Sequence, residues 1–187
     1  MINDGAWVRF SNPHEIEMSA SRLYKIVENT EHLDPLYKLG DSDFTVFVRE
    51  YNHLVTALKE ILNNLRTSRV PLTLTGKWMV FENYPIITEL LQIMEERIIE
   101  DKSTLIIGGK IPTNPKHGPF ILYTSNAVDF EACKSSMEYI LDVLMDKLEE
   151  YELNKAYWYY KPDLFTHQGI YSGNSELKSY VYRYHRK

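Results

Sequence analysis

Seven side chains in this sequence have the types and local grouping needed to hold an anion or a nucleotide: Lys110, Lys161, Asp163, Thr166, Tyr171, Asn174 and Arg183. Five of them lie in the stretch Tyr160-Lys161-Pro162-Asp163-Leu164-Phe165-Thr166-His167-Gln168-Gly169-Ile170-Tyr171-Ser172-Gly173-Asn174. Lysine and arginine meet phosphate through charge-assisted hydrogen bonds, and threonine, asparagine and tyrosine add the few placed polar groups and the ring that a small-molecule site needs. The same stretch also reads as a fold lock. Pro162 stiffens a turn and Asp163 accepts from backbone amides around Thr166, so turn chemistry accounts for each residue without a ligand.

Three further features carry the same pair of readings. Gly108-Gly109 sits inside a strand-like run, where glycine marks either a β-bulge or the close approach of a ligand to bare backbone. Tyr180, Tyr182 and Tyr184 alternate onto one face of a terminal strand, opposite Val181, Arg183 and His185, with Tyr157 and Tyr159 on a neighbouring strand. Tyrosines so placed stack single-stranded bases, or simply fit a half-buried pleated surface. The segment Arg183-Tyr184-His185-Arg186-Lys187 interleaves positive charge with aromatics, as an RNA contact does, and equally reads as a solvated tail.

Catalytic signatures are thin. The sequence holds no Gly-x-Ser-x-Gly elbow, no His-Glu-x-x-His and no Walker loop. Cys133 falls on the apolar stripe of a helix and reads as a buried, inert thiol. His14, His32, His53, His117, His167 and His185 show no paired metal spacing. Neither a cofactor nor a metal is expected. Asp163 and His167 are the acid–base candidates if the chain is an enzyme at all.

These residues have to be positioned by one domain. The 187 residues suffice to bury a single core, with residues 1–40 as an arm packed on or extending the α+β body of 41–187. A net charge of −5 gives no global footprint for duplex DNA, so a nucleic-acid contact would use a local basic patch. No apolar run approaches a bilayer span, the N-terminus lacks a signal pattern and the single cysteine cannot form an internal disulfide, so a cytoplasmic protein is expected.

Periodicity supplies the elements. Ser19 caps a short helix to about residue 28, and apolar residues from Phe47 to Leu65 recur on one face of a helix over 44–65. Leu72 to Phe81 reads as a strand with Leu74, Trp78 and Val80 sharing a face. A helix from about Pro85 to Asp101 buries Ile87, Leu90, Leu91, Met94 and Ile98. Strands over 104–111 and 120–124 form a hairpin, Asp129 caps a helix over 130–152, and strands are expected over 155–161, 168–171 and 179–185. This order fits an α+β fold in which an antiparallel sheet is backed by helices on one face.

Gly76-Lys77-Trp78 opening a strand, the helix after it, Phe120-Ile121-Leu122-Tyr123-Thr124, the helix after Asp129 and the strand ending Tyr160-Lys161 resemble the messenger-RNA cap-binding translation initiation factors over about residues 72–161. The Lys161-Pro162-Asp163, Thr166, Gly169-Ile170-Tyr171 and Asn174 pattern is similar to the basophilic-leukaemia-expressed protein family, whose members share that fold. The resemblance implies a curved sheet whose concave face holds a nucleotide, with phosphate-binding cations near Lys110 and Lys116. It departs from the cap-binding pattern where it matters for the base: residues 61–75 contain no tryptophan, and Trp78 matches a structural one. A stacking pair would have to be rebuilt from Trp7 and tyrosines. The first long helix also lacks the tryptophan through which cap-binding factors hold regulatory peptides.

The sequence therefore predicts a non-enzymatic binding module that holds a nucleotide or single-stranded RNA on its sheet, with Lys110, Lys161 and Arg183 on phosphate. The alternative is a protein-interaction module in which the acidic helix over 130–152 or the N-terminal arm recruits a partner.

Overall fold

The computed structural model describes residues 1–14, 18–38, 43–65, 72–113 and 116–187. Eight strands form one open, wholly antiparallel sheet: β1 (Ile2–Asn3), β2 (Trp7–Ser11), β3 (Phe44–Val46), β4 (Gly76–Asn83), β5 (Gly108–Pro112), β6 (His117–Thr124), β7 (Trp158–Pro162) and β8 (Tyr182–Tyr184), in the spatial order β1-β2-β5-β6-β4-β7-β8-β3. The helices are α1 (Ala20–Asn29), α2 (Val48–Asn64), α3 (Tyr84–Asp101), α4 (Phe130–Glu150) and the short α5 (Asp163–His167). This is a mixed α+β fold. No helix among the described residues is long and apolar enough to cross a membrane.

Local chemistry starts the helices where the sequence predicts. The Ser19 hydroxyl accepts from the Arg22 amide, and the Asp129 carboxylate accepts from the Ala132 amide at 3.1 Å, so each answers one of the orphan donors of a first helical turn. Pro85 occupies the first turn of α3, where its missing N–H costs nothing. The predicted stripe Ile87, Leu90, Leu91, Met94 and Ile98 is fully buried, each side chain contributing about 1.5–3 kcal/mol.

Several boundaries differ from the sequence reading. Residues 72–75 precede β4 and residues 179–181 precede β8 instead of belonging to them. Phe44–Val46 is a strand paired with Tyr184–Tyr182 rather than the first turn of α2, because Phe44 packs on Trp78, Phe130 and Tyr184. Residues 104–107 precede β5 instead of belonging to it. The strand expected over 168–171 does not form. Asp163–His167 turns into α5, and Gly169 adopts φ +69°, a left-handed conformation that glycine takes without strain.

Gly108 and Gly109 are not a bulge. Their register runs unbroken against both β2 and β6. A Cβ on Gly109 would fall 2.6 Å from the Phe10 ring and 3.0 Å from Leu91 and Leu122, so tight packing between strand and helix excludes a side chain there.

One face of the sheet is the core. Trp78, Val80, Phe120, Leu122, Trp158, Tyr160, Tyr182 and Tyr184 point into it, against α2, α3 and α4. The buried hydroxyls have partners: Tyr182 donates to the Ala127 carbonyl at 3.0 Å, Tyr51 to the Val128 carbonyl, and Tyr160 pairs with Thr124. Trp78 donates its indole N–H to Ser136 Oγ and the Cys133 carbonyl. Cys133 is buried on the α4 stripe, and burial pushes its thiol pKa well up.

Candidate functional site

Alternation along each strand sends the other set of residues to the opposite face, and antiparallel register lines them up across the sheet. One row is continuous over seven strands: Arg9, Lys110, Ile121, Met79, Tyr159, Arg183 and Thr45. The neighbouring row is Ser11, Gly108, Tyr123, Lys77 and Lys161. Together they place five lysine and arginine side chains, Arg9, Lys110, Arg183, Lys77 and Lys161, in two adjacent rows of a chain whose net charge is −5.

Two of the cations flank Tyr123. Lys77 Nζ lies 5.4 Å and Lys110 Nζ 5.5 Å from its ring centre, and Lys110 also sits 4.3 Å over the Trp7 ring. A groove of about 260 Å³ opens beside them, lined by Arg9, Ser11, Gly108, Lys110 and Tyr123. Its floor at Gly108 is bare backbone. Among the described residues, the one ion pair of Arg9 is an exposed contact with Asp4 at 3.5 Å. Burial raises the Tyr123 pKa, and Lys77 offsets part of that, so the ring stays a neutral phenol.

At the other end of the second row, Lys77 donates to Asp163 Oδ1 at 2.6 Å and to Thr166 Oγ1 at 3.3 Å, while Thr75 donates to Asp163 Oδ2 at 2.7 Å. Asp163 thus bridges β4 to α5 through a lysine and a threonine, not through the amides near Thr166 that the sequence suggested. Lys161 is 5% exposed, donates to the Ile170 carbonyl at 2.8 Å and lies 3.9 Å over the Tyr171 ring. Burial, then the neighbouring Lys77 charge, pushes its pKa down to about 8, against a smaller opposite pull from Asp163.

The predicted residues therefore fall into three groups. Lys161, Asp163, Thr166 and Tyr171 share the corner around Lys77. Lys110 belongs to the groove, next to Arg9. Arg183 lies on the far side of Tyr159, over the rings of Phe47 and Tyr157 at 5.7 and 5.2 Å. Asn174 does not join a site: its side chain accepts from the Tyr171 amide and donates to the Gly169 carbonyl, holding the turn after α5. His167 and Lys116 are exposed.

The tyrosine ladder is split by the fold. Tyr182 and Tyr184 are buried in the core and offer no stacking face. Tyr180 lies instead against Tyr159 at 4.8 Å and Phe47 at 4.9 Å, because the chain is regular β only from Tyr182 onward.

Lys77, Arg9 and Tyr123 are site residues that the sequence reading missed. Lys77 is visible only as the middle of Gly76-Lys77-Trp78, since its partners lie 86 and 89 residues away. Arg9 has no local signal beyond its alternation with Trp7 and Ser11.

A larger cavity of about 700 Å³ lies between α1 and the start of α4. Among the described residues, its lining sets Glu31, Asp129 and Glu131 against the single cation Arg22, a charge balance that repels phosphate. No protein-family model and no curated protein matches this chain.

Proposed function

We propose that this protein is a non-enzymatic binding module that holds a phosphate-bearing ligand, a nucleotide or short RNA, on the sheet face opposite α2, α3 and α4. The observation that carries the reading is the groove over Gly108, lined by Arg9, Lys110 and Tyr123, with Lys110 and Lys77 over the Tyr123 ring. Lys110 meets no carboxylate among the described residues, only aromatic faces, so its charge is free to take an anion. Asp163 is engaged by Lys77 and Thr75. That geometry favours holding a ligand over proton transfer.

The likeness to cap-binding factors belongs to this reading, with one change. Trp78 and Trp158 are buried, so a base would rest on Trp7 and Tyr123 rather than between two tryptophans.

Thermal unfolding against nucleoside triphosphates and a short RNA, at low and moderate salt, tests the proposal. A ligand that binds only the folded chain raises the midpoint. The rise should shrink with salt, and should vanish in the Arg9→Ala/Lys110→Ala double variant. No rise with any phosphate ligand, or an equal rise in the double variant, refutes it.

A further inference from the structure

Beyond the groove, the same face carries a second patch at the β7–β8 end. Tyr157 is 46% exposed and stacks on His185 at 4.1 Å and on Tyr159 at 6.4 Å. Arg183 lies over Phe47 and Tyr157, and its Nε is a buried donor with no hydrogen-bond partner among the described residues. A buried orphan donor is costly, and an arginine held between aromatic faces with no carboxylate partner among the described residues is placed to take an anion such as phosphate from outside.

The two patches are too far apart for one nucleotide. From β2 to β8 the sheet takes five steps, through β5, β6, β4 and β7. At about 4.8 Å per step the outer cations of the two patches, Arg9 on β2 and Arg183 on β8, lie about 24 Å apart across the sheet. Stacked bases rise about 3.4 Å each, so a single strand needs about seven nucleotides, fewer if extended, to reach both.

Resting on the function proposed above, we infer that the ligand is a single-stranded nucleic acid laid across the strands. Phosphates occupy the Arg9–Lys110 groove at one end, and a base stacks on Tyr157 beside an Arg183-bound phosphate at the other. Every base has a π-face, so such a platform tolerates sequence. A duplex hides its bases in the stack and offers Tyr157 nothing to contact.

Fluorescence anisotropy with labelled mixed-sequence RNA of two, four, eight and twelve nucleotides tests the span. Affinity should rise at least tenfold from dimer to octamer and then level off. Tyr157→Ala, at an exposed position, and Arg183→Gln, which keeps the side-chain stem, should each weaken the octamer at least fivefold and leave the dimer unchanged.

A dimer that binds as tightly as the octamer, octamer binding indifferent to Tyr157→Ala, or a duplex octamer that competes as well as the single strand overturns the inference. In each of these cases the groove at Lys110 still stands. Failure of every length together with every mononucleotide removes both proposals.

Discussion

Replacing Lys161 with methionine should change how stability depends on pH, by an amount the structure sets. Lys161 is 5% exposed, its ammonium has one backbone acceptor and one ring beside it, and burial pushes its pKa down to about 8 from 10.5. The folded value lies below the unfolded one. Between about pH 8 and 10.5 the unfolded chain therefore holds more protons, and stability rises with pH through that window. Below pH 8 the full cost of burying the charge is present, about 3 kcal/mol. By pH 9.5 about 2 kcal/mol of it has been relieved. Lys161→Met removes the titration and leaves the Ile170 carbonyl without its donor, an offset of about 1–3 kcal/mol that does not vary with pH. Urea unfolding of both proteins from pH 7 to 9.5 should show wild type gaining about 2 kcal/mol on the variant. Two stability curves that stay parallel over that range would mean that Lys161 titrates as an ordinary lysine, and the account of a desolvated cation beside Lys77 would be wrong.

Two further substitutions probe what holds the site together. Asp163→Ala strands the Lys77 ammonium at a position only 9% exposed and should cost about 3 kcal/mol by urea unfolding; Lys77→Met/Asp163→Ala should recover much of that loss, and a double variant as unstable as the single would refute the pairing. Gly109→Ala forces a Cβ against Phe10, Leu91 and Leu122 and should cost about 1–3 kcal/mol, whereas a thermal midpoint equal to wild type would show that β2 and α3 yield without strain.

Sequence pattern revealed helices better than it revealed the site, for a physical reason. The stripes of α3 and α4 repeat over several turns, so Ile87 through Ile98 and Cys133 through Leu148 are fixed by many concordant residues. A strand of three residues offers no such redundancy: Phe44–Val46 reads equally well as the start of α2, and only Tyr184 across the sheet decides otherwise. Alternation shows which tyrosines share a face within a regular strand but not which face the helices cover. Alternation therefore leaves Tyr182 and Tyr184 open between a stacking face and a half-buried surface when they are core, and groups Tyr180, outside the regular strand, with them. Lys161 and Asp163 were found because turn chemistry surrounds them. Lys77 and Arg9 were not, because pairing between distant strands is what makes them neighbours of Tyr123.

The pairing of β3 with β8 also has a consequence for synthesis. Phe44 leaves the ribosome early, yet the strand it pairs with is the last of the sheet to be made. Until Tyr182–Tyr184 emerge, Phe44, Trp78 and Tyr160 lack part of their cover, and the flank of β7 that β8 will occupy is a bare row of amides and carbonyls. The growing chain carries that unsealed core until β8 is made, an interval in which exposed strand edges invite association and chaperones have the most to shield. Closure arrives as a single late event, when a three-residue strand slides between two partners that have been waiting for it.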